Sequence, residues 1–173
     1  YKDRGELDRA EHILYKALAL NEELERKEAV AALYASIASV FQARDDFDQA
    51  EEWHRRGLVA EEELGHKEGI ARQYGNLGIF HTKRGDLDAA EEIFLKALAL
   101  DEELGHREGM ARHYANLGNL CSTRGDLDAA EDFWVKSAGL YRQLGNVGQA
   151  KEIEAAIAAL REAREGEAPD GEE

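Results

Sequence analysis

RGDLDAAE occupies residues 84–91 and recurs unchanged at 124–131. Two variants precede it, RGELDRAE at 4–11 and RDDFDQAE at 44–51. The starts, Arg4, Arg44, Arg84 and Arg124, are spaced by 40 residues, a period typical of arrays in which each unit buries its apolar face against its neighbours. The residues after each copy repeat as well: KALALNEELERKEAVA (16–31), RGLVAEEELGHKEGIA (56–71) and KALALDEELGHREGMA (96–111).

Around each copy the apolar residues step by three and four. In 6–25 they are Leu7, Ala10, Ile13, Leu14, Ala17, Leu18 and Leu24; in 26–44 they are Val30, Leu33, Tyr34, Ile37, Ala38 and Phe41. That spacing gives amphipathic helices. Further helices are predicted at 46–64, 67–84, 86–104, 107–124, 126–144 and 147–164. Gly5 is read as a break between 6–25 and the end of an earlier helix at Tyr1–Arg4. Gly65, Gly85, Gly105, Gly125 and Gly145 stand where helix ends need left-handed backbone, and Asp86 and Asp126 come next as N-caps. Connections of two or three residues make consecutive helices antiparallel neighbours. The fold class is all-α, about eight helices in hairpins.

Composition sets outer limits. The chain has 173 residues, 34% charged and 43% hydrophobic, with one proline. That length suits one domain with a buried core. The net charge of −15 argues against nucleic acid and anionic membrane as partners, since both would be repelled. Cys121 stands alone, which excludes an internal disulfide and points to a cytoplasmic location. No secretory or membrane-spanning apolar run is visible. Residues 164–173, REGEAPDGEE, are acidic and lack apolar anchors, so a disordered tail is expected there.

Within each unit the first helix carries Tyr74, Leu77, Gly78 and His81, or Tyr114, Leu117, Gly118 and Cys121. The second carries Ala90, Phe94 and Ala97, or Ala130, Trp134 and Ser137. This pattern resembles the tetratricopeptide signature, whose small residues let two helices approach closely. The earlier unit is looser (Tyr34, Ile37, Ala38, Phe41, Ala50, His54, Gly57), and the signature's proline is replaced by Glu22, Glu62, Glu102 and Arg142. Each unit exceeds the common ~34-residue repeat by about six residues. ARQYGNLG (71–78) and ARHYANLG (111–118) are similar to the 40-residue units of Pins-like spindle-orientation adaptors, kinesin-light-chain-type arrays and many bacterial tetratricopeptide proteins. The resemblance implies a right-handed helical-hairpin solenoid over residues 1–163. Its parts would be a partial repeat at 1–26, full repeats at 27–66, 67–106 and 107–146, and a capping helix at 147–163.

The resemblance also implies that the inner groove, lined by the first helices, binds an extended or partly helical peptide. Arg72, Asn76, Ile79 and Lys83 form one stripe of the first helix, and Arg112, Asn116, Asn119 and Thr123 the equivalent stripe one unit later. Their counterparts are Ala32, Ser36, Ser39 and Ala43, and Glu152, Ala156, Ala159 and Ala163. Asparagine offers a peptide backbone both donor and acceptor. Arginine offers a carboxylate a planar fork, so a partner with an acidic segment is expected. The arginines could instead pair with Glu68 or Glu108 of their own helices. The lysine–asparagine pair that clamps chaperone C-termini in related repeats is absent: Ala35 and Ser39, Gly75 and Ile79, and Ala115 and Asn119 stand there.

No catalytic, cofactor or metal site is expected. The six histidines are scattered: His54 and His81 fall at packing positions, His66 and His106 at exposed turns, and His113 lacks a second ligand at metal spacing. Cys121 reads as a buried small residue. EEE at 61–63 and DEE at 101–103 read as solvated faces. Three functions fit the chain: a protein-interaction scaffold, a self-assembly module joined through an uncapped N-terminal end, and a regulatory domain of a larger protein.

Overall fold

The computed structural model describes residues 2–167, with side chains described from 5 to 165. Its elements are α1 (Lys2–Glu23), α2 (Lys27–Ala43), α3 (Phe47–Leu64), α4 (Lys67–Arg84), α5 (Leu87–Leu104), α6 (Arg107–Arg124), α7 (Leu127–Gln143) and α8 (Val147–Glu167). No strand occurs among the described residues. The architecture is an all-α helical-hairpin repeat solenoid. The chain divides into two compact units, Tyr1–Asp86 and Leu87–Glu173, each described by itself below.

The helix ends share one geometry. Gly65, Gly85, Gly105, Gly125 and Gly145 have positive φ, and so do Glu25 and Asp45. At the end of α4, Gly85 N–H donates to the Thr82 carbonyl and Asp86 N–H to the His81 carbonyl, which satisfies two carbonyls that a helix end leaves open. Asp46 and Asp126 then cap the next helices by accepting from Gln49 N–H and Ala129 N–H, at 3.2 and 3.1 Å. Glu25 and Asp45 do the work of glycine at a strain of ~1–2 kcal/mol each.

In the first unit α1 packs on α2, α2 on α3 and α3 on α4. The core collects Leu18, Ile37, Ala38, Phe41, Ala50, Trp53 and Phe80. Tyr15 meets the Trp53 ring edge-on at 5.7 Å, and Tyr34 lies 5.6 Å from it. In the second unit α5 packs on α6, α6 on α7 and α7 on α8. Trp134, Cys121, Ala130, Ile157 and Leu160 form one cluster, and Ala111, Tyr141 and Ala150 another. Ideal Cβ geometry explains the signature's glycine: a methyl on Gly118 would sit 2.4 Å from Trp134 Cδ1.

Two boundaries differ from expectation. α1 runs through Gly5, whose φ is not positive. The helix continues through it at glycine's cost of ~1 kcal/mol. α8 extends to Glu167, beyond the expected start of the tail, because Arg164 is tied to α7. Residues 168–173 lie outside the described residues.

Candidate protein-interaction site

The organising motif is an ion-pair ladder. Arg44 Nη2 lies 2.7 Å from Asp8 Oδ1, and its Nη1 lies 2.6 Å from Glu11 Oε2. Arg84 makes the same fork to Asp48, at 2.5 Å, and to Glu51. In the second unit Arg124 bridges Asp88 and Glu91 at 2.7 and 2.6 Å, and Arg164 bridges Asp128 and Glu131 at 2.7 and 3.3 Å. The first, fifth and eighth letters of RGDLDAAE are thus one device: each copy's arginine grips the acids of the copy before. A planar guanidinium has the two-pronged geometry for this, and the acids raise the affinity of Arg44, Arg84 and Arg124 for their protons.

Beneath the surface lies a polar layer where solvated faces were expected. Glu61 is 5% exposed and Asp101 is 0% exposed. Each packs its carboxylate over a glycine of the following helix: a Cβ on Gly69 would fall 2.2 Å from Glu61 Cδ, and one on Gly109 2.0 Å from Asp101 Oδ2. Buried carboxylates need partners, and they have them. Glu61 meets Arg72 Nη2 at 3.1 Å and His66 Nδ1 at 3.3 Å. Asp101 Oδ1 meets His106 Nδ1 at 3.0 Å, and His113 Nε2 lies 3.1 Å from Asp101 Oδ2 without hydrogen-bond geometry. His113 has no exposed surface, and burial, with Arg112 and His106 nearby, pushes it down to about 4. At the equivalent place Gln73 is also fully buried, and its Oε1 accepts from His54 Nδ1 at 2.8 Å. Burial lowers the affinity of His54 for a proton, though the Gln73 bond opposes this.

Each predicted groove residue can now be placed. In the first unit Arg72 is exposed but bound to Glu61 of α3 rather than to Glu68. Asn76 is half-buried, with Nδ2 3.4 Å from His54 Nδ1. Ile79 is half-buried, and Lys83 lays its ammonium 3.9 Å from the centre of the Phe47 ring. The α2 counterparts Ala32, Ser36, Ser39 and Ala43 are all exposed; both serine hydroxyls bond back to their own helix. In the second unit Arg112 and Asn116 are half-buried, and Asn119 and Thr123 exposed. Asn119 Oδ1 accepts from Trp134 Nε1 at 3.0 Å. Thr123 Oγ1 donates to the Asn119 carbonyl. The residue just before the stripe on α2, α4 and α6 (Ala31, Ala71, Ala111) is buried in each helix.

Cys121 is buried, and burial, helped by Asp126 and Glu91, pushes its thiol up, away from the thiolate. Among the described residues no group of three or more His, Cys, Asp or Glu is arranged to hold a metal ion, and no helix is long and apolar enough to cross a membrane.

Fold and surface together define a helical-hairpin repeat protein whose polar side chains recur in register on successive first helices. Two models, both described as tetratricopeptide repeat, match the chain at residues 32–68 and 69–137. The chain belongs to the tetratricopeptide repeat family, whose repeats generally mediate protein–protein interaction. No curated protein sequence matches it. Among solved structures, BtubC (BKLC) from P. vanneervenii is 20% identical with a TM-score of 0.69, over 99% of this chain and 80% of that one. The apo form of RapI is 16% identical with a TM-score of 0.59, over 95% of this chain and 65% of that one. A Podosopora anserina kinesin light chain protein of nearly identical TPR-like repeats is 15% identical with a TM-score of 0.51, over 93% of this chain and 90% of that one. At such identities the likeness is one of fold.

Proposed function

We propose that this chain is a protein-interaction scaffold whose first helices receive a peptide or partner helix. The observation that carries the reading is the stripe that begins at Ala32, Arg72 and Arg112. At the same register of α2, α4 and α6 it is exposed at Ala32 and Arg72 and half-buried at Arg112, while the residue before it is buried. Asn76, Arg112, Asn116 and Asn119 supply donors and acceptors for a main chain, and Arg112 favours an acidic segment. The combined variant Arg72→Ala, Asn76→Ala, Arg112→Ala and Asn116→Ala tests this against the native chain in affinity capture from a lysate. Partners lost by a variant that remains helical support the proposal; partners retained by it place binding elsewhere.

A second reading, self-association, rests on a different face. Ile13, Leu20 and Leu24 of α1 and its following turn are 64%, 54% and 49% exposed and lie at helical spacing, an apolar stripe of the kind that marks interaction surfaces. Light scattering across a concentration series decides it: a rising mass supports association, and a constant monomer mass excludes it.

A further inference from the structure

A cavity of about 870 Å³ opens between α1, α2 and α3 in the first unit, and none of the first-helix stripe residues lines it. Its apolar wall is Val30, Tyr34 and Val59, with Val59 55% exposed. Its charged lining is Glu22, Glu25, Glu52 and Glu63 together with Lys27, Arg55 and Arg56. The two arginines in this lining are already engaged: Arg55 is paired with Glu51, and Arg56 is paired with Glu52 and lies 4.5 Å over the Trp53 ring, which leaves Glu22, Glu25 and Glu63 to face a ligand. Glu22 and Glu63 both press on the Tyr34 hydroxyl, which burial already makes harder to ionise.

The second unit shows the same place with a latch across it. There Arg107, at the first position of α6, donates from Nη2 to Gln143 Oε1 at the end of α7. Lys136 lies over the rings of Tyr114 and Phe133 at 5.6 and 5.4 Å. In the first unit the corresponding residues are Lys27 and Glu63, with Arg56 turned onto Trp53. A lysine ammonium lacks the reach and fork of a guanidinium, and no bond joins Lys27 to Glu63. The volume lies within the range of ~300–1,000 Å³ usual for ligand sites.

We infer that this cavity between α1, α2 and α3 is a second binding site, for a short cationic peptide segment that seats a large apolar side chain on Val30, Tyr34 and Val59 and a lysine or arginine against Glu22, Glu25 and Glu63. The chain's net charge of −15 steers such a ligand inward. The first-helix stripe, with its arginines, selects the opposite charge, so the two sites are independent.

The test uses the full chain, ¹⁵N-labelled, titrated with an acetylated and amidated hexapeptide alternating lysine and leucine, and with its glutamate–leucine counterpart. Lysine–leucine is expected to shift the amides of Val30, Tyr34, Val59 and Glu63, with glutamate–leucine about tenfold weaker or worse. Lys27→Arg combined with Glu63→Gln installs the latch of the second unit and is expected to weaken binding about tenfold; Val59→Lys, which places a cation in the cavity, does the same. The four-alanine variant of the first-helix stripe should bind as the native chain does. Absence of binding, equal binding of both peptides, shifts confined to other helices, or full binding by both the latched and Val59→Lys variants would each overturn the inference.

Discussion

Arg124 and Asp88 are 36 positions apart in sequence, yet Nη2 of one lies 2.7 Å from Oδ1 of the other. The same guanidinium holds Glu91. Arg124→Ala is therefore expected to melt at a lower temperature than the native chain, with the deficit shrinking as salt screens the pairs. Arg124→Lys should recover only part of the loss, because an ammonium cannot fork to both acids. Thermal unfolding by circular dichroism at two ionic strengths checks both; an unchanged midpoint in Arg124→Ala would mean the ladder is decorative.

The two buried carboxylates make contrasting demands on the glycines beneath them. Alanine in a helix gains ~1 kcal/mol over glycine, whereas overpacking costs roughly 1–3 kcal/mol. Glu61 is long and able to swing toward Arg72 and His66, so Gly69→Ala should come out near neutral. Asp101 is short and held by His106 and His113, so Gly109→Ala should lose a net ~1–2 kcal/mol. Urea unfolding of the pair tests the ordering; Gly69→Ala being the more damaging would contradict it.

His113 gives the second unit a pH dependence of known sign. Its folded pKa is about 4, against an ordinary value of 6.5, so the unfolded chain takes up the proton first. Its contribution is fully present above pH ~6.5 and is lost as the pH falls toward 4, by at most about 3 kcal/mol. His113→Gln places there the residue that stands at position 73 and should flatten the stability profile through that window. Parallel profiles for native and variant, measured by urea unfolding between pH 4 and 7.5, would refute the assignment.

Asp45 sits at φ 60 where five later helix ends use glycine. Asp45→Gly is expected to stabilise by up to ~1 kcal/mol, with Glu25→Gly similar. The readout is again urea unfolding; a destabilised Asp45→Gly would show that its side chain contributes more than its backbone loses.

Helix order and the glycine turns were legible because they depend on local periodicity and backbone sterics, which leave marks every few residues. The turns at Glu25 and Asp45 lacked the glycine mark, although the step of 20 residues between Gly65, Gly85 and Gly105 pointed to them. Glu61 and Asp101 misled because a carboxylate in an acidic run reads as solvated. Their burial depends on glycines eight residues onward, a pairing that only the fold makes visible. Arg164 was assigned to a disordered tail, yet it stands 40 residues after Arg124, and that step was the available signal. Arg72 fell on the expected stripe, but its partner, Glu61, comes from the preceding helix. The cavity beside Tyr34 was not legible because it is formed by residues of α1, α2 and α3 that only packing brings together.

The most direct measurement is a hydrogen-exchange footprint of a captured partner on the native chain. Slowed exchange concentrated in residues 72–83 and 112–123, and absent with the four-alanine variant, is the expected result for a partner received on the first helices. Protection confined to α1, α3, α5 and α7, unchanged in that variant, would contradict it.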